Sequence, residues 1–279
     1  MDAGWWAARR RGFVIRTALL IGCVAIFILP LIWTALASFG VVPDETASPP
    51  AWTFPPTTAN YAEIGIAEPT FAQELLTSTG LSIVVTLLTI TVGFLAAYSL
   101  ARSGFRRKRL VAQSFLLLAS MPVMAYVIPL NDTVRFLRLH DTFVGVALAQ
   151  TAVYAPLATF ILYGYLSPLS LEWEEAARLD GARPLQVLAH VVLPLVASGV
   201  AAVAVIVFVL NWNLFLLPLV IQTSHIKTIT VAMSDFFTFE RELEWPTAAA
   251  ALIVSLAPLA VLVAVAHRVL EGFRLGAVE

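Results

Sequence analysis

The chain has 279 residues, 59% of them hydrophobic and 13% charged, with a formal net charge of −1. A soluble globular domain carries roughly 25% charged residues, so this composition excludes an ordinary soluble core and points to a polytopic membrane protein. The near-neutral total gives nucleic acid no footing. The single cysteine, Cys23 in an apolar run, excludes an internal disulfide and any CxxC metal spacing.

A helix crosses a bilayer core with ~20 largely apolar residues. Six stretches reach that length: Phe13–Phe39, Gly80–Ala101, Leu110–Leu130, Phe143–Leu166, Val191–Ile221 and Ala248–Ala266. The expected fold is all-α, one transmembrane domain over residues 1–279 with six transmembrane helices. The first stretch follows Arg9, Arg10 and Arg11 and contains Ala35-Leu36-Ala37, as a signal peptide would. It is longer than the ~7–15 apolar residues of a signal peptide, which predicts an uncleaved span. The fifth stretch exceeds what a bilayer needs, and is expected to tilt or extend beyond it.

Lys and Arg are retained on the cytoplasmic side. With the N-terminus inside, 13 of the 17 basic residues fall inside, and only Arg135, Arg138, Lys227 and Arg241 fall outside. Both termini are therefore expected in the cytoplasm. Among the outside loops, 40–79 is long and carries Pro43, Pro49, Pro50, Pro55 and Pro56, which favours an extended crossing of the membrane face. The loop 131–142 is short. The extracytoplasmic loop 222–247 is acidic and aromatic, with Asp235, Phe236, Phe237, Phe239, Glu240, Glu242, Glu244 and Trp245. Such a surface suits contact with another protein or packing on its own helix ends.

No GxxxxGK[ST] phosphate loop occurs, and neither Lys108 nor Lys227 follows such a pattern. HExxH and GxSxG are also absent, and His140, His190, His225 and His267 show no ligand spacing, so no metal site is expected. The stretches 143–166, 191–221 and 248–266 carry no charge. Ion-coupled carriers place ionisable groups or broken helices near the midplane, so the energy for any transport is expected from elsewhere.

The cytoplasmic loop 168–190 is the most informative stretch. Ser167 or Ser170 suits a helix N-cap, and Glu172, Glu174 and Glu175 complement the helix dipole in its first turns. Ala176 and Ala177 keep a face slim, Asp180-Gly181 suits a left-handed helix end, and Pro184 suits the first position of a second helix. A helix–turn–helix on the inner membrane face is expected.

Glu175-Ala176-Ala177, Gly181 and Val191-x-Leu193-Pro194 resemble the EAA loop of binding-protein-dependent ABC importer permeases. Ala96–Arg102 with Phe105, Met121-Pro122 with Ile128-Pro129-Leu130, and Trp212-Asn213 before Phe215-Leu216 extend the resemblance to the carbohydrate branch, which includes the maltose permease. Leu214 stands where that branch often has an acidic residue. The resemblance implies that Glu174, Glu175, Ala176, Ala177, Asp180, Gly181 and Ala182 couple the chain to a separate ATPase. Glu175 would make polar contacts there, the alanines would allow close seating and Gly181 would form the turn. It implies two such ATPases carrying ATP and Mg, no cofactor on this chain, a homologous permease partner and an extracytoplasmic solute-binding protein. It also implies a multi-pass protein in a bacterial or archaeal plasma membrane.

Asn211, Trp212 and Asn213 are polar or amphipathic within an apolar run. They either bond between helices or line a solute path, with amides for hydroxyls and tryptophan for a sugar face. The expected function is inward movement of a carbohydrate or polyol by a non-enzymatic permease subunit. Glycerol phosphoesters, amino sugars or peptides are alternative solutes, and an ion-coupled carrier is the alternative class.

Overall fold

The computed structural model describes residues 3–44, 51–52, 56–67, 70–222, 226–235 and 245–275. The aromatic segment 236–244 and the tail 276–279 lie outside them. The chain divides into two compact units, Met1–Thr70 with Phe236–Ser255, and Phe71–Asp235 with Leu256–Glu279. Elements are numbered in chain order.

In the first unit, α1 (Ala3–Ser38) exposes its apolar side chains from Leu19 to Leu31. A helix satisfies its own backbone, so lipid can cover such a surface. Its end is anchored by α2 (Ala59–Ala67). The Ser38 and Tyr61 hydroxyls lie 2.8 Å apart, and Asn60 Nδ2 donates to the Ser38 carbonyl at 3.0 Å. β1 (Pro43–Asp44) pairs antiparallel with β2 (Ala51–Trp52). α13 (Trp245–Ser255) packs on α1 and α2. The outer connection expected over 40–79 is thus partly helical, because α2 is tied to the end of α1.

The second unit is organised by α3 (Phe71–Arg102), which begins well before the expected Gly80. Phe71, Glu74, Ser78, Leu81, Ser82, Val85 and Thr89 are buried on one face, at the spacing of an amphipathic helix. The polar members hid this turn from an apolar count. Glu74 faces Lys227 at 3.5 Å, and Ser78 Oγ accepts from the Ile229 N–H at 2.7 Å. α3 packs along α6 (Phe143–Leu166). There Gly93 meets the α6 backbone so closely that a Cβ would lie 2.8 Å from Ala158 Cβ; small residues permit such approach between membrane helices.

The expected third span is not one straight helix. α4 (Lys108–Ala119) and α5 (Val123–Phe136) meet at 90°. Pro122 has ψ 142° and no N–H, and the residue before a proline disfavours the helical region. The expected fifth span is broken too. α7 (Glu172–Leu179), α8 (Pro184–Val187), a π-helical turn (Leu188–Val192) and α9 (Leu193–Leu195) precede α10 (Ala197–Trp212). The run Pro184–Leu195 meets α10 at 79°. Pro194 offers no N–H to the regular ladder, a usual cause of such irregularity. α11 (Leu216–Ile221) follows a second break, then α12 (Ile229–Asp235); α14 (Ala257–Leu275) packs on α10. Bends absorb the excess length of this stretch.

Among the described residues, Arg16–Ser38, Phe71–Arg102, Phe143–Leu166 and Trp245–Ala266 are long and apolar enough to span a membrane, and the two bent pairs raise the number to six if each crosses once. Among the described residues the protein is all-helical apart from the two-residue strands, in keeping with a polytopic membrane protein.

Candidate functional site

The loop after α6 is built from local signals. Ser170 Oγ accepts from the Glu172 N–H at 3.2 Å, and three carboxylates occupy the first turn of α7, where the helix dipole favours them. The helix then closes with Gly181 at φ 88°. The Gly181 N–H donates to Arg178 O and the Ala182 N–H to Ala177 O, each at 3.0 Å. This is a Schellman ending, in which two bonds satisfy the last carbonyls around a left-handed glycine. Pro184 opens α8, and Gln186 Oε1 accepts from the Arg183 N–H at 2.8 Å.

The expected coupling residues separate into two faces. Glu175, Ala176, Asp180 and Gly181 are exposed. Leu179 and Leu185, on the same helix–turn–helix, stand 89% and 77% exposed. Ala177 and Ala182 turn inward and pack against the core. Their smallness allows closeness to the chain's own helices.

Glu174 is set apart from the others by its burial. Its side chain is 1% exposed, and both oxygens are engaged within the chain. Arg102 Nε donates to Oε1 at 2.6 Å and the Tyr98 hydroxyl to Oε2 at 2.7 Å, with Arg178 3.6 Å from Oε2. Arg102 also donates to Leu169 O at 3.2 Å. Arg102 and Tyr98 were visible in the sequence only as an orientation-setting charge and a resemblance at the end of the second span.

The second candidate cluster points in different directions. Asn211 is buried and donates to Ser82 Oγ at 3.1 Å. Trp212 is buried and stacks parallel on Phe208, centroids 6.0 Å apart. Asn213 is exposed and donates to Val209 O at 2.7 Å, ending α10. Asn211 and Trp212 line a small cavity with Ser78, Ser82, Gln150 and Thr230. The buried Asn211 Oδ1 and Gln150 Oε1 have no hydrogen-bond partner, so the cavity presents two acceptors that a water or a hydroxyl would satisfy. Ser78, Ser82 and Gln150 were missed. The spacing of Ser78, Ser82, Thr86 and Thr89 on one helix face was the available signal.

Apolar helices flank an exposed, glycine-closed helical turn, as suits a helical membrane protein. Residues 89–273 match the family of binding-protein-dependent transport system inner membrane components, and the chain belongs to that family. It is 31% identical over 259 residues to the trehalose transport system permease protein SugB of Mycobacterium tuberculosis, covering 90% of this chain and 92% of that one. It is 30% identical over 256 residues to the sulfoquinovosyl glycerol transport system permease protein SmoH of Agrobacterium fabrum, covering 90% and 89%. A bacterial ABC transporter involved in import of the acidic polysaccharide alginate shares the fold, with a TM-score of 0.67, 20% identity and coverage of 92% and 96%.

Proposed function

We propose that this permease subunit moves a carbohydrate or related polyol inward, across a bacterial or archaeal plasma membrane, by ATP-driven alternating access. It would act with a homologous permease, two ATPase subunits that bind ATP and Mg, and an extracytoplasmic solute-binding protein. Six spans with both termini cytoplasmic put the Glu175 turn on the inner side, a reading supported by the positive-inside bias. The observation that carries the proposal is the exposed Glu175–Gly181 turn, with Leu179 and Leu185 exposed on the same helix–turn–helix, within a chain of this family. ATP binding would draw the ATPases together and carry the turns with them. The spans would follow, since each state is favoured by a different set of contacts.

The carbohydrate reading is supported by trehalose and sulfoquinovosyl glycerol in the names of two relatives, both of which carry sugar rings. Glycerol phosphoesters, amino sugars and peptides are the competing solutes. Uptake of candidate solutes into proteoliposomes holding the complete complex, with ATP inside, tests the proposal. Uptake driven by an ion gradient through this chain without ATPase would overturn it in favour of a secondary carrier.

The Asn211 cavity is the substrate-path candidate. Asn211→Ala is expected to raise the half-saturating solute concentration about fivefold, corresponding to about 1 kcal/mol for one hydrogen bond. Unchanged solute kinetics would assign Asn211 to helix packing against Ser82.

A further inference from the structure

We propose that Glu174 is a positioning residue, the strut through which displacement of the exposed α7 turn reaches the transmembrane helix α3. The proposal rests on the reading of that turn as an ATPase-docking element.

Three observations carry it. First, the Glu174 carboxylate is 1% exposed and both its oxygens already accept bonds from within the chain, so an outside partner has little access to it. Second, the Arg102 guanidinium ties three elements at once. It donates to Glu174 on α7, to the carbonyl of Leu166 at the end of α6 at 3.5 Å, and to that of Leu169 in the connection after α6 at 3.2 Å. Third, both α3 residues of the cluster, Tyr98 and Arg102, lie in the last turns of a continuous 32-residue helix. A charge-assisted, buried contact resists separation far more than the rim contacts of an exposed turn. A push on α7 therefore moves the end of α3 before it breaks the pair.

The far end of the same helix is held in a similar way, by Glu74 to Lys227 at 3.5 Å. At ~1.5 Å per residue, 32 residues extend about 48 Å, enough to cross a bilayer core. α3 thus links the inner turn to the segment that precedes α12. Displacement at Arg102 would be felt beside Ile229, whose N–H is bonded to Ser78 of α3.

The test uses the complete transporter in proteoliposomes, with ATPase co-purification as one readout and solute moved per ATP hydrolysed as the other. Glu174→Gln keeps the shape and removes the charge. It is expected to retain the ATPase subunits while solute moved per ATP falls tenfold or more. Tyr98→Phe deletes one donor without disturbing the fold, and is expected to lower the ratio two- to fivefold. The exchange Arg102→Glu with Glu174→Arg is expected to restore the ratio above that of either single change. A ratio within twofold of the unsubstituted protein for both Glu174→Gln and Tyr98→Phe would overturn the strut. Loss of the ATPase subunits from a normally inserted Glu174→Gln would also overturn it, by making Glu174 a docking residue. The docking reading fails separately, if Glu175→Lys and Gly181→Pro both keep the ATPase subunits and uptake.

Discussion

Gly181→Pro is expected to abolish solute uptake, at least a hundredfold, and to release the ATPase subunits while the chain still inserts into the membrane. Gly181 sits at φ 88° and its N–H donates to Arg178 O. Proline fixes φ near −65° and has no N–H, so the substitution reverses the turn and deletes one of its two closing bonds. α8 would leave in a different direction, and the Ala177–Ala182 contact with the core would be lost. Gly181→Ala separates turn geometry from mere occupancy. A Cβ there meets nothing within 4 Å, so the cost is about 1–2 kcal/mol of backbone strain, and most uptake should remain. Glu175→Lys supplies the matching test of surface chemistry. The side chain is exposed, so reversing its charge costs the fold only ~0.3–1 kcal/mol through the helix dipole, yet it should remove the ATPase. Co-purification and uptake unchanged in both Gly181→Pro and Glu175→Lys would rule out the turn as the docking element.

Gly93→Val is expected to be strongly destabilising, lowering the thermal midpoint in detergent by roughly 5–10 °C. The added Cβ would lie 2.8 Å from Ala158 Cβ and 3.1 Å from the Thr159 nitrogen. Backbone cannot yield as a flexible side chain does, so α3 and α6 must move apart. Overpacking of this kind costs about 1–3 kcal/mol, occasionally more, and 1 kcal/mol shifts a domain of this size by ~2–4 °C. Gly164→Ala is the control. Nothing lies within 4 Å of its added Cβ, so helix propensity alone should leave it neutral or stabilised by about 0.5–1 kcal/mol. Equal midpoints for Gly93→Val and Gly164→Ala would mean that α3 and α6 do not meet closely at Gly93.

The apolar stretches were legible because lipid imposes length and composition directly, and four of the six appear as single helical stretches. Their geometry was not. Leu110–Leu130 read as one span despite Pro122, and the 90° between α4 and α5 depends on what each half packs against. The polar first turns of α3 escaped a count of apolar residues, since Glu74 and Ser78 are buried by partners 151 or more positions away along the chain. In the cavity, Asn211 and Trp212 were recognisable as anomalies in an apolar run, whereas Gln150 and Ser82 looked ordinary until two other helices came beside Asn211.

The α7 turn marks the division most clearly. Gly181, Pro184 and the carboxylates of α7 determine by themselves that a short helix forms, ends in a left-handed glycine and restarts, because every bond involved closes within about six residues. The membrane-spanning character follows in the same way from local composition. Which of two adjacent glutamates faces outward was decided only by tertiary structure. Glu174 and Glu175 are chemically identical neighbours, and successive helix positions differ by about 100°. Glu174 turns inward because α3, 72 residues earlier, delivers Arg102 to that side, and a buried carboxylate is stable only beside such a partner.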